Sequence, residues 1–277
     1  MLRHIPPMQV SFHGDCTQAN GVELPIVAVN LDRRPDKWQT LSERMAAVGL
    51  TKIVRASAVE GAKVPAAQVA ALVRSPADVT AGGPSSHLTL TPPAIGCALS
   101  HLGIWRWMLG AGLPRLLVVE DDAMPMPSFN AERLRRVLAG LRPDMELVLL
   151  GYRIMAGLAD RPRPGADVAR IHYFNGTHAY LITPAGCRRL LQALLPLQAQ
   201  LDHQISSVLM RSRDAFSAYY VAQPFFDCDW SFGSDLYVPA HHLSDESAAD
   251  GELAAIITAG RQALLAEGRP LLTERNE

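Results

Sequence analysis

LPIVAVNLDRRPDKW, residues 24–38, decides the fold. Its first half, Leu24 to Leu31, is a short apolar run rich in β-branched residues, the pattern of a strand buried on both faces. The run breaks at Asp32, and Pro35 suits the first turn of a helix. Trp38, Leu41, Met45 and Val48 then recur at spacings of three or four, and Gly49 marks the stop. TKIVRASAV (51–59) reads as a second strand. Strand, helix, strand opens a βαβ unit and with it a parallel sheet.

Working outward, residues 1–23 form a ragged lead-in and residues 59–92 are the least regular stretch. Within the latter, AAQVAALVR is a candidate short helix, and a long Gly/Ser/Pro-rich loop follows. Thr91 offers an N-cap and Pro92 a first helical residue for AIGCALSHLGIWRWMLGAG. Apolar residues cover nearly every face of that helix, so it is buried, and Ser100 and His101 within it need partners. Beyond it come a strand at Leu116–Val119, a helix in FNAERLRRVLAGL and a strand in MELVLLG. RIHYFNGTHAYLITP holds one or two more strands, with Asn175-Gly176 as a turn signal. Helices follow in PAGCRRLLQALLPL and LDHQISSVLMRSR, then a strand in AFSAYYVAQP and a terminal helix in AAIITAGRQALLAEG. The pattern predicts one α/β domain over residues 24–240, with a mostly parallel sheet flanked by helices. An irregular C-terminal portion follows, and residues 241–277 form a helical tail.

Composition narrows the function. Of 277 residues, 48% are hydrophobic and 19% charged, enough for a large core and too apolar for a disordered chain. The net charge of −1 leaves no electrostatic footprint for nucleic acid or an anionic membrane, so any phosphate must be held locally. Cys16, Cys97, Cys187 and Cys228 form no CxxC pair, and read as free thiols in a reducing compartment. No segment has the apolar length of a signal peptide or a membrane span. A cytoplasmic location is expected, with at most peripheral contact at the inner face of the membrane.

The sharpest chemical feature is Glu120-Asp121-Asp122 at the carboxyl end of an apolar strand, where open α/β sheets bind ligands. Three adjacent acids repel one another, and a divalent cation with a preference for hard oxygen ligands, magnesium or manganese, would relieve that. A solvated turn is the plain alternative. Asn30, Asp32, Arg33 and Arg34 end the first strand beside a helix N-terminus, positions suited to a nucleotide and its phosphates, although solvent-facing arginines would look the same. Ser100 and His101, the Asn175–His178 turn, and Asp202 with His203 are further candidates. Asp202 suits either a helix N-cap or a carboxylate base for a hydroxyl. DCDWSFGSDLY (227–237), with His241 and His242 after it, is a polar segment able to close over a site.

Read in order, NLDRRPDKW, GCALSHLGIWRWML, LLVVEDDA, FNGTHAYLITPAGCRRLL, LDHQIS and FGSDLY resemble glycosyltransferase family 25 over about residues 24–236. The resemblance implies a GT-A-type (Rossmann-like) fold, a UDP-sugar donor, often UDP-galactose, a Mn2+ or Mg2+ ion and inversion at the anomeric carbon. It places Glu120 and Asp122 as metal ligands within a DxD-like motif that also includes Asp121. It places Asn30, Leu31 and Arg33 near the nucleotide in an NLxRRxxR-like segment, with Trp38 standing where a basic residue is usual. Ser100 and His101 match a GCxxSH segment, and His178 a GTxAY-like one. Ser234 and Asp235 match an SDI-like tail, with Leu236 in place of isoleucine. Asp202 falls on the acid of a PVD-like segment, although Gln200-Leu201 precede it here, and it is the expected catalytic base.

The expected activity is metal-dependent, inverting transfer of a hexose, galactose for preference, to a hydroxyl of a glycan or glycolipid such as lipooligosaccharide. The rival is a non-catalytic module on the same scaffold that binds a sugar nucleotide or glycan. A metal-dependent nucleotidyltransferase would need a glycine-rich phosphate loop near the first strand, and VAVNLDRRP has no glycine.

Overall fold

The computed structural model describes residues 10–14, 24–75, 79, 90–154, 157–212, 216–233, 235–236 and 252–272. Its opening follows the sequence pattern. Strand β2 (Ile26–Asn30) is buried at every position, α1 (Pro35–Ala47) begins on Pro35, and β3 (Ile53–Ser57) lies parallel to β2. Ahead of them, the two-residue strand β1 (Phe12–His13) pairs antiparallel with β3. The short helix α2 (Ala66–Leu72) precedes α3 (Pro92–Gly110), whose Thr91 cap accepts the Ala94 N–H. Strand β4 (Leu116–Glu120) then returns to the other side of β2, also in parallel. The chain therefore leaves β2 for β3 on one flank and comes back as β4 on the other. That reversal opens a crevice at the carboxyl ends of these strands, where α/β sheets bind ligands.

Four more strands complete the sheet: β6 (Leu147–Arg153), β7 (Val168–Arg170), β8 (Asn175–Ile182) and β9 (Ala218–Val221). The spatial order is β1-β3-β2-β4-β8-β6-β9-β7. Strand β8 runs antiparallel between β4 and β6, while β6 and β9 are parallel. Thus β2, β3, β4, β6 and β9 share one direction. Because β8 runs the other way, it enters the sheet at the carboxyl edge of β4, where Thr177 meets Glu120. Asn175-Gly176 is thus no hairpin turn. It opens β8, with Gly176 at φ +81°. A Cβ there would come within 2.3 Å of the His178 ring, so only glycine fits.

A small second sheet pairs β5 (Ala123–Pro125) with β10 (Phe226–Cys228), and α4 (Ala131–Gly140) follows β5. Helices α3, α5 (Pro184–Ala193) and α6 (Leu201–Arg211) pack on one another. Helix α7 (Glu252–Ala266) lays Ile256 and Ile257 against Leu158, Tyr173 and Met210. No described helix is long and apolar enough to cross a membrane. Cys97, Cys187 and Cys228 are free thiols, and Cys16 lies outside the described residues.

Candidate active site

A cleft of about 170 Å³ lies at the crevice. Its floor is the carboxyl ends of β2 and β4 (Asn30, Leu31, Glu120, Asp121, Asp122). One wall is α3 with Cys97, Ser100 and His101, and Arg33, Lys37 and Asp235 line the rim. Nine residues singled out in the sequence, from four separate segments, therefore share one cavity. His178 and Asp202 stand outside its lining, and Ser234 lies outside the described residues.

The wall exists because two glycines let backbones touch. A Cβ on Gly96 would sit 2.4 Å from Val59 O, and one on Gly61 would sit 1.7 Å from Pro92 O. Ser100 Oγ accepts the Val59 N–H at 2.8 Å and donates to Gly96 O at 2.7 Å, which fastens the 59–61 segment to the helix. Its hydroxyl is occupied by this task. The buried His101 ring is oriented from behind, with Nδ1 2.6 Å from the Tyr180 hydroxyl, which also accepts the Trp105 N–H at 2.9 Å. Nε2 therefore faces the cleft, 3.3 Å from Glu120 Oε1.

The three acids have three different environments. Glu120 accepts a hydrogen bond from the Thr177 hydroxyl. Burial would raise its pKa, but His101 and Thr177 outweigh that and hold it below the usual carboxylate value. Asp121 is tied by Asn30 Nδ2 at 2.8 Å and by Lys37 Nζ at 3.5 Å, yet burial keeps its pKa raised. Asp122 has its Oδ1 buried without a hydrogen-bond partner, and burial together with the charge of Glu120 pushes its carboxyl up to about 7. One acid of the pair ionises at the expense of the other.

Lys37 is the residue that sequence reasoning missed. Its side chain is buried, and Nζ lies 2.8 Å from Asp235 Oδ2 and 3.9 Å from Asp122 Oδ2. Counted from Asn30, the basic position of the NLxRRxxR-like segment falls on Lys37, so the reading that Trp38 replaces it is corrected. Helical spacing hid the residue, because Lys37 lies on the buried side of α1 with Leu41 and Met45. Asp235 gathers three cations, with Arg33 at 2.9 Å and Arg34 at 2.6 Å in addition to Lys37. Lys37 and Arg34 hold its pKa below the usual value despite burial. Asn30 donates to Asp121 and to Arg34 O and accepts from Arg55 Nε at 2.8 Å, so its amide braces the floor.

Asp202 is the second residue of α6, and the N-cap position is Gln200, which makes no side-chain cap bond. The N-cap reading of Asp202 is thereby corrected. Instead, Oδ2 accepts the Gly176 N–H at 2.7 Å and Oδ1 the His203 N–H at 2.9 Å. The buried His178 ring packs under Gly176 and Gly151, and burial lowers its pKa.

With cleft and acids placed, the oxygen donors can be weighed for a cation. Asp121 is compensated by Lys37 and Asn30, which leaves Glu120 and the orphaned Asp122 Oδ1 as the oxygens suited to a hard divalent ion. The residues fit the group that the acidic motif implies.

A cleft of clustered acids and arginines at the carboxyl edge of the sheet is where an open α/β protein binds its ligand. Residues 25–143 match the family described as "Glycosyltransferase family 25 (LPS biosynthesis protein)", and the chain is similar to members of that family beyond this segment as well. Procollagen galactosyltransferase 1 of Danio rerio is 30% identical over 80% of this chain and 37% of its own length. A human protein named inactive glycosyltransferase 25 family member 3 is 32% identical over 64% of this chain and 30% of its own. Human procollagen galactosyltransferase 2 is 27% identical over 61% and 27%. The chain thus spans about a third of the length of these relatives.

Proposed function

We propose that this chain transfers a hexose, galactose for preference, from a UDP-sugar to a hydroxyl of a glycan or glycolipid acceptor, with inversion. The observation that carries the reading is the orphaned, buried Asp122 Oδ1 beside Glu120 on the cleft floor. The family and its galactosyltransferase members support it. When bound, a Mn2+ or Mg2+ ion on Glu120 and Asp122 would carry part of the donor's diphosphate charge. Arg33, half exposed at the rim beside Asp235, would meet the remainder.

Asp202 takes the proton from the acceptor hydroxyl. The freed oxygen forms a bond to the anomeric carbon while the bond from that carbon to the diphosphate breaks, and the electron pair leaves with UDP. Preorganised charge around the leaving group is the largest contribution such a site makes. The second reading, a non-catalytic binding module, is favoured by the relative named inactive and by the lysine lodged among the acids.

Release of UDP from UDP-galactose, followed with manganese and then with excess chelator, separates the two. A transferase releases UDP slowly alone and faster with acceptor, and chelator stops it. A binding module warms its melting transition with the nucleotide sugar but releases none. Turnover indifferent to chelator overturns the metal assignment.

A further inference from the structure

We propose that the inner wall of the cleft is also a binding site for a thiophilic divalent cation, Zn2+ in the first instance, formed by Cys97 Sγ, His101 Nε2 and a Glu120 carboxylate oxygen. One ligand atom from each of these residues lies within 4.8 Å of the others. Cys97 and His101 are four residues apart on α3 and so share a helix face, which looks onto the end of β4. His101 Nε2 and Glu120 Oε1 are 3.3 Å apart. Two ligands bonded to one ion at about 2.0 Å with tetrahedral angles stand about 3.3 Å apart. The pair is therefore already spaced for zinc.

A second observation points the same way. The His101 ring is fully buried, yet Nε2 has no hydrogen bond of acceptable geometry. What meets it is Glu120 Oε1, the third member of the set, at 3.3 Å. Its other nitrogen lies 2.6 Å from the Tyr180 hydroxyl, an oxygen able to accept an Nδ1–H and leave Nε2 free to ligate. Cys97 lines the cleft and is partly exposed, so an ion can enter from solvent and keep a fourth position open toward the cavity. As the metal–sulfur bond forms, the thiol proton leaves to buffer.

Ligand hardness separates this site from the all-oxygen pair of Glu120 and Asp122. Thiolate with imidazole selects zinc over manganese or magnesium, and carboxylates alone favour the harder ions. Glu120 belongs to both sets, so one ion excludes the other. Inhibition of transfer by zinc, competitive with manganese, rests on the proposed function; the binding itself does not.

The test uses the full chain, reduced and stripped of metal, titrated with Co2+ under argon. One equivalent should give a sulfur-to-cobalt charge-transfer band in the near ultraviolet, and Zn2+ should erase it. C97S should lose the band and C228S keep it. A titration without that band, or a band that survives in C97S, overturns the site. In case C97S folds poorly, the wild-type chain offers a second readout. Zn2+ should slow alkylation of Cys97 at least tenfold by peptide mass, and an unchanged rate also overturns it. If the band appears while UDP is never released, only the transferase reading falls. If turnover with manganese is normal and no band forms, only the zinc site falls.

Discussion

Lys37 Nζ lies 2.8 Å from Asp235 Oδ2, which joins the first helix to the last described residues before the C-terminal helix. Both side chains are largely shielded, at 2% and 15% exposure. Removing one partner of such a pair leaves an uncompensated charge. Lys37→Met should therefore lower unfolding free energy by about 3–5 kcal/mol in urea titrations. Adding Asp235→Asn to Lys37→Met should recover part of the loss, because the anions around the gap fall by one. A loss below about 1 kcal/mol would show the cluster to be better solvated than its burial indicates.

Glycines on α3 divide by what surrounds them. A methyl group on Gly96 meets the Val59 carbonyl at 2.4 Å, whereas nothing lies within 4 Å of one on Gly110. Gly96→Ala should cost about 1–3 kcal/mol or more and weaken UDP-sugar binding, since the wall must move outward. Gly110→Ala should be neutral or stabilising by up to about 1 kcal/mol. Paired thermal melts check both, and equal shifts would refute the packing argument.

Asp202→Asn keeps the shape of the side chain but replaces one acceptor oxygen with a donor, facing either Gly176 N–H or His203 N–H. A loss of about 1–3 kcal/mol in stability is expected. Acceptor-dependent turnover should fall by at least a hundredfold, while the melting shift induced by donor remains. Near-native turnover in this variant would assign the base elsewhere.

Far from the cleft, Asp160 joins the 269–272 segment to the body. Burial works to raise its pKa, but the His172 hydrogen bond at 3.0 Å and Arg269 at 3.2 Å outweigh it and hold it below the usual value. A depressed carboxyl contributes stability above its unfolded value near about 4 and loses it as pH falls through the folded value. Exchange of the Leu272 amide, which bonds Ala159 O at 2.9 Å, should then accelerate relative to its intrinsic rate only below about pH 4. Asp160→Asn should show the same acceleration at pH 7.

Apolar runs made the parallel half of the sheet legible: β2, β3 and β4 each announce themselves by burial and β-branching, and α3 by its cap and proline. Strand direction was not legible. FNGTHAYLI reads as extended whichever way it runs, and pairing with β4 and β6 is a long-range property that periodicity does not carry. Strands β1, β5 and β10, two or three residues each, are too short to show alternation. At the site the acids stood out because charge directly after an apolar strand is conspicuous. Lys37 did not, because a lysine in a helical pattern looks solvent-facing until three carboxylates are seen around it.

Thr177 holds Glu120 and its neighbour Gly176 holds Asp202. Two consecutive residues of one strand thus act as a ruler between the leaving-group end of the proposed reaction and its proton-accepting end, with a graduation of roughly 3.4 Å. A slip of β8 by one residue would miscalibrate both ends together. Changes that lengthen or shorten the chain between Ile171 and Phe174 should therefore abolish transfer even where the protein still folds.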